Sequence, residues 1–155
     1  MKTWADPMAG TNTQGAKTML RPDIDIDGFH ARQVGTLPDR YGVRVTALAE
    51  GRMAMQFEIA PWMMAPNGFL HAASVIVLAD TCAGYGTIAH LPEGAKGFTT
   101  VELKSNFLGT AKSGVLRAEA LAEHLGRTTQ VWSATVFNAQ DRRIALFRCT
   151  QMILW

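Results

Sequence analysis

The chain has 155 residues, 48% of them apolar and 18% charged, with a net charge of +2. That size fits one domain with a sizeable core, and the composition excludes a disordered chain. The mild charge argues against a dedicated nucleic-acid binder. Two cysteines, Cys82 and Cys149, have no metal-ligand spacing and fit a reduced, cytoplasmic setting.

Residues 1–20 lack both periodicity and an apolar signal core, and read as a mobile leader ahead of a single domain over 21–155. Asp27 is placed to cap a short helix over 29–37, which Pro38 then stops. Val43, Val45, Ala47 and Ala49 alternate as a strand does. After a turn at Glu50-Gly51, Met53, Met55, Phe57 and Ile59 alternate again, so the pair reads as a hairpin. Residues 61–68 read as a loop.

The segment 71–90 reads as a helix about 30 Å long. Small and apolar residues surround nearly its whole circumference, the pattern of a buried helix. Gly84 and Gly86 would each cost about 1 kcal/mol on an exposed helix, so they imply close packing against another backbone. The longest apolar run is too short to span a bilayer and Asp80 interrupts it. Strands follow near 97–108, 114–123, 128–138 and 143–154. The order is β-β-α-β-β-β-β with a short N-terminal helix: an α+β fold in which one long buried helix is wrapped by a curved antiparallel sheet.

Asp80 is the residue that calls for an explanation. A carboxylate in an apolar run is costly to bury without a partner. Its structural reading is a carboxylate bonded to a helix cap or to a threonine of the partner chain. Its chemical reading is a general base or nucleophile. Asn67 reads either as a turn residue or as a group positioning water, and His71 either as a helix-start residue or as a direct participant. His90 and His124 read as surface residues.

The motifs resemble those of hotdog-fold acyl-CoA thioesterases of the phenylacetate-degradation (PaaI-like) group. The likeness covers about 37–155. It rests on His71-Ala72-Ala73, Leu78-Ala79-Asp80-Thr81, Thr100-Val101-Glu102 with Asn106-Phe107-Leu108, and Gly126-Arg127. Where the family usually has His-Gly-Gly, this chain has His71-Ala72-Ala73, which bears on substrate shape or rate more than on fold.

The resemblance implies hydrolysis of an acyl-CoA thioester with no cofactor beyond the CoA of the substrate. Asp80 is then the catalytic carboxylate, with Asn67 and His71 beside it. The amides of Ala72 and Ala73 at the helix start polarise the carbonyl. Thr100 corresponds to a polar residue lining the family's site. Val101, Leu103 and Phe107 look like a core face that Thr100 joins only across a bulge. Arg127 and Lys104 are candidates to grip CoA phosphate. Pro61, Trp62, Met63, Met64 and Phe69 favour an aromatic or medium-chain acyl group.

Ala72 and Asp80 lie eight residues apart, about 12 Å along one helix. A base must come within about 3 Å of the atom it activates, or act through one water. Two helices related by a two-fold axis meet that need, so a homodimer with shared sites is expected, with a dimer of dimers through exposed sheet faces as a further step. Two alternatives stand beside this reading: a non-enzymatic acyl-CoA binder, and a hotdog dehydratase or hydratase. The second pairs its His and acid differently from His71 and Asp80.

Overall fold

The computed structural model describes residues 19–155; residues 1–18 of the expected leader lie outside them. Residues 19 and 20 are tied down, because their amides donate to the Glu50 carboxylate at 2.8 and 2.9 Å.

Helix α1 spans Ile26–Arg32 and α2 spans Leu37–Arg40. Asp25, not Asp27, caps α1, accepting the Gly28 N–H at 2.7 Å. Pro38 opens α2 rather than ending α1. A proline in the first helical turn lacks only an N–H that has no intrahelical acceptor there.

The hairpin is β1 (Arg44–Ala49) and β2 (Arg52–Glu58). Met53, Met55 and Phe57 are buried, as the alternation predicts. In β1 a bulge between Val45 and Ala47 breaks the expected parity. Val45 and Leu48 therefore pair with core residues Met55 and Met53, while Ala47 and Ala49 turn to the other face. The loop that follows contains a 3-10 turn, Pro61–Met63. Met63 belongs to the core and so is not free to line an acyl pocket.

Helix α3 spans Ala72–Ala89, with His71 and His90 as its caps. It is the helix, among the described residues, long and apolar enough to cross a bilayer by length and composition. Its packing inside the sheet accounts for that composition. The small residues meet aromatic rings rather than backbone. A Cβ on Gly84 would lie 3.3 Å from the Phe98 ring, and one on Gly86 would lie 2.8 Å from Trp132.

His90 is fully buried, contrary to the surface reading. Its Nε2 accepts the Gly51 N–H at 2.9 Å, so its Nδ1 donates to the Gly86 carbonyl at 2.7 Å. The Gln130 side chain donates to the His90 carbonyl at 2.8 Å and accepts from the Trp132 indole at 3.0 Å. This polar cluster fixes the C-terminal end of α3 to β5 and to the hairpin turn.

The remaining strands are β3 (Gly97–Phe107), β4 (Val115–Leu125), β5 (Thr129–Phe137) and β6 (Arg143–Leu154). All six form one antiparallel sheet in the order β1-β2-β4-β5-β6-β3. Strand β3 is thus an edge. Val101, Leu103 and Phe107, which read as core, are 48%, 41% and 46% exposed because no strand or helix among the described residues covers them.

Candidate active site

The start of α3 is built by its N-cap. His71 sits in extended backbone, and its Nδ1 accepts the Ala73 N–H at 3.0 Å. A ring nitrogen that accepts carries no proton, so the neutral imidazole presents Nε2–H outward. The Ser74 N–H donates to the His71 carbonyl at 2.9 Å. The Ala72 N–H is the donor in this turn with no acceptor among the described residues. The expected pair of free amides is therefore one: the Ala73 amide is taken by the His71 ring.

A cleft of about 510 Å³ opens at this helix start. It is lined by Asn67, Phe69, His71, Ala72, Val75, Phe107 and their neighbours. Asn67 closes its own turn, its Oδ1 accepting the Phe69 N–H at 3.2 Å. Ser74 lies just behind, its hydroxyl donating to the Met63 carbonyl at 3.0 Å, which pins the loop to the helix.

Asp80 lies two turns further along α3. It is partly buried, and its Oδ1 is fully enclosed with no hydrogen-bond partner among the described residues. Desolvation holds its carboxyl above the usual carboxylate value. Among the described residues no helix cap or threonine satisfies that Asp80 oxygen. Its charge is felt at Cys149 on β6, whose thiol is pushed up to about 12, mainly by burial and secondarily by Asp80. Asp80 thus faces the β6–β3 side of the sheet. Beside Cys149 lies Gln151, fully buried, with a side-chain oxygen that also lacks a partner among the described residues.

Thr100 is brought to this side by the bulge that the parity required. The register shifts between Thr100 and Glu102, with Val101 as the extra residue. Thr100 pairs with Gln151 and Leu103 with Cys149, both buried on the helix side. The same register puts Lys104 opposite Arg148, on the outer face of the sheet and away from the cleft. Arg127 sits in the β4–β5 turn, its guanidinium stacked 4.8 Å over the Trp155 ring. That turn is at the His90 end of α3, a helix about 27 Å long, so within one chain Arg127 is remote from Ala72.

Sequence reasoning missed Cys149 as a neighbour of Asp80, and Gln151 beside that cysteine. It also missed Lys112, whose ammonium lies 6.0 Å over the Phe69 ring at the cleft. The first two come from a strand 69 and 71 positions away, and no local pattern marks them.

A long helix inside a single antiparallel sheet, with an open amide and a histidine at its start and an unpartnered carboxylate in its middle, is the arrangement of a hotdog-fold thioesterase. The comparisons agree. Residues 67–145, just over half of the chain, match the Thioesterase superfamily, and the chain belongs to that family. The chain is 27% identical over 114 residues to a 1,4-dihydroxy-2-naphthoyl-CoA hydrolase of Listeria monocytogenes, covering 74% of this chain and 92% of the relative. A mutant of thioesterase PA1618 from Pseudomonas aeruginosa superposes with a TM-score of 0.82 at 25% identity, over 88% of this chain and 98% of that one. The PaaI protein of Escherichia coli shares the fold, with a TM-score of 0.75 at 21% identity, over 83% of this chain and 92% of that one. The protein is a thioester hydrolase.

Proposed function

We propose that the protein hydrolyses acyl-CoA thioesters at two equivalent sites, each shared between the subunits of a homodimer. The observation that carries this reading is the enclosed, unpartnered oxygen of Asp80. An orphaned buried carboxylate oxygen is costly, and structures keep such groups where chemistry needs them. Asp80 is about 12 Å along α3 from the open Ala72 amide, too far to act on the same carbonyl. The uncovered edge of β3 offers the remedy. Pairing two copies of β3 antiparallel would cover Val101, Leu103 and Phe107. It would also set the Gly97 end of one strand beside the Phe107 end of the other. The partner's Asp80 would then approach the Ala72 cleft, and the partner's Arg127 would approach its outer end.

In that site the thioester carbonyl oxygen accepts from the Ala72 N–H, with the His71 Nε2–H as a second donor. The partner's Asp80 takes a proton from water as the water oxygen attacks the carbonyl carbon. The tetrahedral oxyanion is held by the two donors and by the positive end of α3. Its collapse breaks the carbon–sulfur bond, and the departing CoA thiolate takes up the proton. Direct attack by the carboxylate, followed by hydrolysis of the resulting anhydride, uses the same groups.

Half-exposed Phe69 and Phe107 favour an aromatic or medium-chain acyl group, in keeping with the aryl substrate named for the Listeria relative. No cofactor beyond CoA is invoked. A cytoplasmic setting would keep the buried free thiols Cys82 and Cys149 reduced. The outer sheet face, where Leu121, Leu146 and Met152 are exposed, suits pairing of dimers.

The test is thiol release from short, medium, long and aryl acyl-CoAs by wild type and Asp80→Asn. Turnover that falls at least about a hundredfold in the variant supports the assignment. Absence of turnover on every acyl-CoA refutes it.

A further inference from the structure

The cleft at the start of α3 has a cation at its lip that the catalytic scheme leaves unused. Lys112 lies in the turn between β3 and β4, exposed, with its Nζ 6.0 Å above the ring of Phe69. Phe69 is itself a wall of the cleft that contains His71 and Ala72. Lys112 takes part in none of the ion pairs among the described residues. Within the chain the earlier phosphate candidates are elsewhere: Lys104 is on the outer face, and Arg127 is at the far end of α3. The field at the lip is positive twice over, from the ammonium and from the N-terminal end of α3.

We propose that Lys112, braced on Phe69, selects thioester ligands carrying an anionic group at the outer end of the cleft, either a phosphate of the CoA arm or a carboxylate terminating the acyl group. The inference rests on the thioesterase reading above. The Phe69 ring restrains the lysine stem and head through a cation–π contact, which lowers the entropy cost of holding the charge at the lip. An ammonium is a point charge with three donors and meets either anion equally well. The Lys112 charge acts on binding and not on the reacting carbonyl, so its signature is in KM rather than kcat.

The experiment compares wild type, Lys112→Glu and Lys112→Arg on three thioesters of one acyl series. One is the acyl-CoA. The second is the neutral acyl N-acetylcysteamine thioester. The third is an N-acetylcysteamine thioester whose acyl group ends in a carboxylate. We expect Lys112→Glu to raise KM about tenfold or more on an anionic substrate while kcat holds, and Lys112→Arg to retain the wild-type KM. A loss on the acyl-CoA alone assigns the phosphate, and a loss on the carboxylated thioester alone assigns the acyl carboxylate. Unchanged KM on both anionic substrates overturns the proposal, as does an equal loss on the neutral one. If no thioester is turned over, the hydrolase reading fails, and the same variants are titrated with CoA. A tenfold weaker Kd in Lys112→Glu then sustains the inference, and an unchanged Kd overturns it.

Discussion

The His71 imidazole and the Ala73 amide are joined by a 3.0 Å hydrogen bond, in which Nδ1 accepts. This one contact caps α3, fixes the tautomer of the ring and leaves Ala72 as the open amide. Stability and activity should therefore separate at position 71. His71→Ala is expected to cost about 0.5–2 kcal/mol through loss of the cap. His71→Asn restores an N-cap acceptor and most of that stability. It does not restore turnover, because the Nε2–H donor is gone. Denaturant titration beside steady-state kinetics checks the pair; recovery of full activity by Asn would leave His71 as a cap alone.

Asp80 ties stability to pH in the direction opposite to an ion-paired acid. Burial raises its folded-state pKa above the unfolded value. Between those two values the folded chain holds more protons than the unfolded one, so stability falls as pH rises through the window. Asp80→Asn removes that penalty. Its Tm should exceed that of wild type at pH ~7, with the gap closing as pH drops below the unfolded carboxylate value of ~4. The same elevated pKa sets an acidic limb on kcat/KM lying above the usual carboxylate range. A variant less stable than wild type at every pH would contradict this account of the Asp80 environment.

Gly86 and Gly84 differ in what faces them, at 2.8 Å from Trp132 and 3.3 Å from Phe98. An added methyl at Gly86 must displace a fully buried indole. Overpacking of that kind costs about 1–3 kcal/mol, against about 1 kcal/mol recovered in helix propensity. At Gly84 the ring has less to yield, and the two effects come close to cancelling. Urea midpoints should therefore fall for Gly86→Ala and stay near wild type for Gly84→Ala.

Replacing His90 by Leu strands the Gly86 carbonyl in a buried site and the Gly51 N–H in a partly buried one. Each orphaned group costs about 1–3 kcal/mol, so this substitution is expected among the more damaging ones in the chain. Thermal unfolding of His90→Leu beside His124→Leu, at an exposed position near the end of β4, gives the contrast.

Elements with a strong local rhythm were legible in the sequence. The alternation of Met53, Met55 and Phe57 and the all-round apolar character of α3 each have one packing solution, and both were found. Local chemistry was less decisive at 25–40, where Asp25 and Asp27 offer equivalent caps and Pro38 fits a helix start as well as a stop. The bulges at Thr46 and Val101 shift parity by one residue. The second was inferable because Thr100 and Leu103 otherwise conflict; the first left no such conflict. His90 looks like a surface residue until its partners, Gly51, Gly86 and Gln130, are assembled from distant segments. Asp80 stood out from the sequence because its neighbours are apolar, whereas Cys149, with Gln151 beside it, reaches it only through sheet register.

The central claim is that each site joins the helix start of one subunit to the carboxylate of the other. Mixing two inactive variants, Ala72→Pro and Asp80→Asn, tests it most directly. Proline is tolerated at the first helical position and deletes only the Ala72 N–H. If the site is shared, a mixed dimer contains one intact site. Random reassortment by co-refolding then restores about a quarter of the wild-type thiol release per chain. If Ala72 and Asp80 act within one subunit, no mixture contains an intact site, and activity stays at the level of the separate variants.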